Sequence, residues 1–250
     1  MARRIGGIAS QVLSRLGFAG GPRPPRDLPP GVVEAWKYVR HNRLTYLSDS
    51  RLASLARLAI EADRAPADAI FIEAGCALGG STVILSSAKS PARPFKVYDV
   101  FGTIPAPGAE DGADVHRRYE VILSGKSRGI GGDPYYGYRS DLYATVERNI
   151  EQGGFPLRAH DISLVRGLLQ DTLTGDQPVA LAHIDVDWYD PIRTCLERIV
   201  PRLIPGGVVI LDDYQDWSGC KKAVDDYFGL AGSDRFTFDT SAGHLVIQRR

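Results

Sequence analysis

Two pairs of aspartates in the second half of the chain carry the strongest chemical signal. Asp185 and Asp187 close the run His183-Ile184-Asp185-Val186-Asp187, and Asp212 and Asp213 close Val209-Ile210-Leu211-Asp212-Asp213, with Asp216 just beyond. Each cluster ends a short apolar run that reads as a buried strand. Carboxylates brought together without compensation repel one another and take up protons. A hard divalent cation removes that cost, and oxygen-only ligands from Asp185, Asp212 and Asp213 point to Mg²⁺. Asp187 stands two positions from Asp185, the spacing that puts both on one face of a strand. From spacing alone it is either a neighbour of the ligands or the N-cap of the next helix.

The elements between the clusters must bring them together. Residues 189–203 show a helical pattern, closed by Pro205-Gly206-Gly207. Strand, helix, strand at that length is a βαβ unit, with its strands parallel and their C-terminal ends on one side. Open α/β sheets bind ligands at that edge. A second site precedes it. The apolar run 69–73 leads into Glu73-Ala74-Gly75-Cys76-Ala77-Leu78-Gly79-Gly80-Ser81 and then a helix over 82–88. Glycines at 75, 79 and 80 let the backbone approach a ligand at a helix N-terminus. The pattern E-x-G-x-x-x-G-G is not the G-x-G-x-x-G of dinucleotide folds. Asp99 ends the next strand, 95–100, where an acid accepts both hydroxyls of a ribose.

The remaining elements complete a mostly parallel sheet. Helices are expected over 32–40, 49–62, 142–152 and 221–228, a strand over 162–167, and a closing hairpin from 235–240 and 244–248. The interval 101–140 is rich in Gly, Pro and polar residues, with a helix near 114–123. A long irregular segment of this kind inside a compact domain is usually a lid or functional insertion. Residues 1–30 are expected to form a basic amphipathic arm and a Pro/Gly-rich linker, and 31–250 a single domain with the lid at about 102–140.

Composition narrows the classes. With 30 basic and 30 acidic residues the formal charge is zero, so nothing favours nucleic acid or an anionic membrane as partner. Three scattered cysteines in 250 residues argue against a disulfide framework and for a reducing, cytoplasmic setting. No apolar stretch reaches the roughly 18–20 residues of a spanning helix, and the N-terminus lacks the continuous apolar run of a signal peptide.

A nucleoside-binding first half, an acidic second half and a final hairpin resemble the class I S-adenosylmethionine-dependent methyltransferases, with a Rossmann-like seven-stranded sheet and helices on both faces. Within that group, Glu73 through Ser81, Tyr98-Asp99, Asp171-Thr172-Leu173, His183 through Tyr189, Pro205-Gly206-Gly207, Asp212-Asp213-Tyr214 and Trp217 through Asp225 resemble the macrocin O-methyltransferase family. The resemblance runs from roughly Arg43 to the C-terminus. Val186 stands where that family often has glycine.

The resemblance implies an S-adenosylmethionine- and Mg²⁺-dependent O-methyltransferase acting on a sugar hydroxyl of a glycoside, natural product or polysaccharide. It implies Asp187 as general base and Asp185, Asp212 and Asp213 as metal ligands. Thr45, Glu73, Gly75, Gly79, Gly80, Ser81, Asp99, Gly167 and Asp185 would line the cofactor. Tyr135, Tyr136, Tyr138, Trp188 and Tyr189 are candidates to stack on the acceptor. A homo-oligomer is expected from the family and the N-terminal arm. Two other readings fit the residues: methylation of a catechol or other phenol, and a nucleoside-cofactor-binding protein without catalysis. His183 reads as a hydrogen-bonded structural residue.

Overall fold

The computed structural model describes residues 24–231 and 233–250. The N-terminal amphipathic segment expected from the sequence lies outside these residues. The described residues form one seven-stranded sheet in the order β3-β2-β1-β4-β5-β7-β6. Its strands are β1 (Ile70–Ala74), β2 (Phe95–Asp99), β3 (Ile162–Arg166), β4 (Val179–Ile184), β5 (Leu203–Leu211), β6 (Phe236–Asp239) and β7 (Leu245–Arg249). The first five run parallel, whereas β7 is antiparallel to both β5 and β6. The sheet reverses direction of growth at β1 and β4, the switch point where such folds open a ligand crevice.

The helices are α1 (Pro30–His41), α2 (Asp49–Ala62), α3 (Gly80–Ala88), α4 (Ala113–Leu123), α5 (Leu142–Gln152), the short α6 (Leu169–Thr172), α7 (Tyr189–Ile199) and α8 (Ser218–Ala231). Two apolar clusters bury the two faces of the sheet. One joins Trp36, Leu52 and Leu55 from α1 and α2 to Phe71, Val83 and Ile150. The other joins Ile72 and Ile184 to Ile192, Leu196 and Ala223 from α7 and α8. Central strands are therefore apolar on both sides, the reason they read as continuous runs.

Boundaries moved where local chemistry overrode periodicity. The helix expected over 189–203 stops at Ile199, because Pro201 forces a 3-10 turn over Val200–Arg202. Pro205-Gly206-Gly207 does not precede the strand but lies within β5. There the register against β4 jumps from Val179↔Leu203 to Leu181↔Val208, and Gly206 takes φ 80°. The motif is a bulge, not a helix stop. In the 102–140 segment, α4 falls where the helix was expected, with 3-10 turns at Ile130–Gly132 and Tyr136–Tyr138. No described helix is long and apolar enough to cross a membrane.

Candidate active site

The parallel register fixes the site. Ala74 and Ile184 close β1 and β4 side by side, Ala74 also pairs with Tyr98 one residue before the end of β2, and Ile184 pairs with Leu211 at the end of β5. The chain leaves all four strands at one edge of the sheet, which gathers the glycine turn, Asp99, Asp185 and Asp212-Asp213. Ligand oxygens of Asp185, Asp212 and Asp213 lie within 4.8 Å of one another. Asp212 and Asp213 are buried and Asp185 half-buried. Burial and the neighbouring Asp212 push Asp185 well above the usual carboxylate range, and burial with Asp187 and Asp185 does the same to Asp213. Three carboxylates this close are a poor arrangement alone and a good one around a hard cation.

Asp212 is the exception among them. Burial pushes its carboxyl up, but the approach of His244 and the Arg51 guanidinium outweigh it and hold it below the ordinary range. Arg51, on the first turn of α2, reaches Oδ2 of Asp212 at 2.8 Å and Asp216 at 2.7 Å. His244, at the start of β7, faces Oδ1 with its Nδ1 at 3.8 Å, too far for a hydrogen bond, while Nε2 meets Ser54 Oγ at 2.9 Å. Asp212 Oδ1 is thus buried without a hydrogen-bond partner, the orphan a cation would satisfy. The donor set fits Mg²⁺. Asp216 is drawn off by Arg51. Neither Arg51 nor His244 was singled out in the sequence, since both pair with Asp212 only through the fold.

Asp187 arrives by a different route from the one its spacing suggests. β4 ends at Ile184, and Asp187 takes a left-handed backbone, φ 59°. Strand alternation is therefore not what places it. Its N–H donates to Asp213 Oδ2 at 3.2 Å, so the turn is stitched to the acidic cluster. The N-cap of α7 is Trp188, not Asp187. Burial pushes the Asp187 carboxyl up to about 6, opposed by Arg118 of α4. A left-handed aspartate is tolerable because its short side chain can bond locally, and such strain gathers at working sites.

The nucleoside side is equally well defined. Asp99 accepts the Cys76 N–H at 2.9 Å on Oδ2 and the Phe101 N–H at 2.7 Å on Oδ1. Each oxygen keeps a lone pair for a ribose hydroxyl. Gly167 N–H reaches Asp99 O at 3.0 Å, and Gly80 N–H reaches Leu44 O at 3.2 Å, so Gly167 and Thr45 border the same turn as Ser81. The glycine requirement comes from the protein itself. A Cβ on Gly75 would collide with the backbone oxygen of Asp185, and one on Gly80 with Leu44. Gly79 is left-handed at φ 84°. These residues form a continuous cradle along the ends of β1 to β4.

Other sequence candidates fall elsewhere. Glu73 is fully buried, with its oxygens meeting Thr82 Oγ1 and, at 3.1 Å, His183 Nδ1. These contacts tie the end of β1 to α3 and β4. His183, also fully buried, is the structural residue its alternation implied. Trp188 is 2% exposed, and its indole N–H donates to Pro105 O at 3.0 Å. It anchors the 102–140 segment. The hydroxyl of Tyr189 bonds Asp226 at 3.0 Å and Lys222 covers its ring. Tyr138 bonds Ile122 O and Ser127 N within the same segment. Tyr135 and Tyr136 stay near the acids: burial raises the Tyr136 phenol well above its ordinary range, with Tyr135, Asp187 and Asp99 adding to it.

The fold is that of the class I methyltransferases. Among solved structures, the O-methyltransferase NovP superposes with TM-score 0.67 at 22% identity, covering 97% of this chain and 99% of that one. The calicheamicin methyltransferase CalS11 gives 0.61 at 18%, covering 96% and 90%. Residues 141–232 match the family model for macrocin O-methyltransferase (TylF), so the family resemblance read from the sequence is borne out. The tetracenomycin-C rhamnosyl 4'-O-methyltransferase of Streptomyces olivaceus is 32% identical over 177 residues, 68% of this chain and 61% of that protein. Demethyldecarbamoylnovobiocin O-methyltransferase of Streptomyces niveus is 27% identical over 191 residues, 72% and 63%. The matched part of the chain spans less than two thirds of the length of either relative.

Proposed function

We propose that the chain transfers the methyl group of S-adenosylmethionine to a hydroxyl of a saccharide-containing acceptor, with a divalent cation held beside it. One observation carries this reading: three carboxylates converge at the ends of adjacent strands, next to the glycine turn and the ribose acid. The relatives support it, since one is a 4'-O-methyltransferase of a rhamnosyl-tetracenomycin C and the other an O-methyltransferase of demethyldecarbamoylnovobiocin.

The chain's residues divide the work by position. Asp99 would hold the ribose through its remaining lone pairs, and the 75–80 turn would line the cofactor beside it. Asp185, Asp212 and Asp213 would hold Mg²⁺, which supplies Lewis-acid polarisation of the acceptor oxygen. Methyl transfer is an in-line displacement, so the hydroxyl oxygen must stand opposite sulfur at about 3 Å from the carbon. Asp187 accepts the proton that the hydroxyl loses as the oxygen–carbon bond forms. Its burial keeps it basic enough for that task, and the bond from its N–H to Asp213 fixes its place beside the acids. The tyrosines at 135 and 136 exclude water over the reacting centre.

Transfer of labelled methyl from S-adenosylmethionine to a panel of glycosides and catechols tests the proposal. Methylation of a glycoside, lost in EDTA and restored by Mg²⁺, is the expected result. Full turnover in chelator would remove the cation, and methylation confined to catechols would remove the sugar.

A further inference from the structure

Beside the cleft, beyond Tyr46, lies a second cavity of about 330 Å³. Its walls come from the 42–46 segment, Leu78, residues of the 129–139 stretch and α5. Arg43, Arg139 and Arg148 bring three guanidinium groups to it, and Asp133 is the one acid on the wall. Arg43 approaches Asp133 at 3.7 Å. Arg139 and Arg148 take part in no ion pair among the described residues. The concavity therefore carries two positive charges without internal compensation.

The wall is built for this. Arg43 holds a left-handed backbone, φ 53°, which a side-chain-bearing residue adopts at a cost. Gly131, at φ 67°, passes so close that a Cβ there would stand 2.9 Å from the Arg43 Nη1. The left-handed backbone at 131 is what favours glycine there, and it brings the chain against that guanidinium. On α5, Thr145, Arg148, Asn149 and Gln152 recur at helical spacing and face the cavity together. Asn149 donates to Leu78 O at 2.9 Å, tying this face to the glycine turn.

Guanidinium forks match the geometry of phosphate oxygens, and a concave site with one sign of charge focuses its field on them. The cavity adjoins the reacting centre through aromatic rings. Tyr46 on its wall packs against Tyr136 with centroids 6.0 Å apart, and Tyr136 against Tyr135 at 4.4 Å. We propose that this cavity is an anion subsite for a phosphate group of the acceptor, so that the sugar methylated at the carboxylate cluster arrives linked to a diphosphate. The assignment to an acceptor rests on the methyl-transfer reading; the anion site itself does not.

Calorimetry on the full chain with inorganic pyrophosphate, UDP-glucose and free glucose tests it, with S-adenosylhomocysteine as a separate ligand. Pyrophosphate and UDP-glucose should both bind, UDP-glucose the tighter, and the Arg139→Gln/Arg148→Gln double variant should weaken each by about tenfold or more. Asp133→Asn should move the same affinities the other way. Absence of pyrophosphate binding, or binding indifferent to these changes, would overturn the subsite. Pyrophosphate binding as tightly as UDP-glucose would assign the cavity to free phosphate and overturn the acceptor role. S-adenosylhomocysteine should bind wild type and variants alike. Its failure to bind wild type would instead strike the methyl-transfer reading.

Discussion

The acidic edge and the 102–140 segment face the same reacting centre but are built on different terms. The acids stand directly after β4 and β5, central strands with fully buried residues on both sides. Their positions are set by backbone register, and Arg51, His244 and the Asp187 N–H hold the carboxylates in turn. The opposite wall is mainly turns, with one amphipathic helix whose buried residues are Val115 and Ile122. It is fastened by a few contacts, among them Trp188 to Pro105 and Tyr189 N–H to Asp111. On the methyl-transfer reading, a rigid edge suits the chemical step and a looped wall suits the choice of acceptor.

Changes on the rigid edge should therefore strike the chemistry, and changes on the looped wall the acceptor. The largest effect is expected from Asp187→Asn, which should lower turnover by about 10²–10⁴-fold. Mg²⁺ affinity, measured by calorimetry, should change far less. Equal loss of both would make Asp187 a ligand. Next comes Glu73→Ala beneath the cradle. Removing one partner of a fully buried pair leaves His183 unmatched, at a cost of about 3–5 kcal/mol by denaturant unfolding. Unchanged stability would detach Glu73 from the framework role.

Asp213→Asn should abolish the rise in melting temperature that Mg²⁺ gives the wild type, while S-adenosylhomocysteine still stabilises both. A cation-dependent rise of the same size in the variant would move the metal elsewhere. Arg51→Met should leave Asp212 less firmly oriented and shift cation affinity by about threefold to tenfold, with little effect on acceptor KM. The mildest change is Tyr136→Phe, which keeps the ring and removes a hydroxyl. It should raise acceptor KM by about twofold to tenfold and spare cation binding. An effect confined to the cation would erase the distinction between the two walls.

Much of this was legible in the residues. The apolar runs ending in Asp99, Asp185 and Asp212 are visible because buried parallel strands are apolar on both faces, and an acid at their end interrupts the run. The glycine turn was visible too, but its reason was not. Gly75 and Gly80 are required by Asp185 and Leu44, residues distant in sequence. Trp188 and Tyr189 lie next to Asp187 and looked available to an acceptor, yet one is buried against Pro105 and the other turns toward Asp226. Sequence proximity does not fix the direction in which an aromatic ring points.

The alternation of strands and helices, their parallel pairing and the identity of the acids followed from the chain itself, because hydrophobic periodicity and the right-handed βαβ crossover leave few alternatives. The tertiary structure decided which oxygens are already taken. Arg51 takes Oδ2 of Asp212 while His244 only faces Oδ1, Thr82 and His183 meet Glu73, and a left-handed turn carries Asp187 to Asp213. Apart from Thr82, those partners stand 26 to 161 positions away in sequence. No local pattern encodes them, since a side chain's partners are set by which elements pack together and not by its neighbours in the chain.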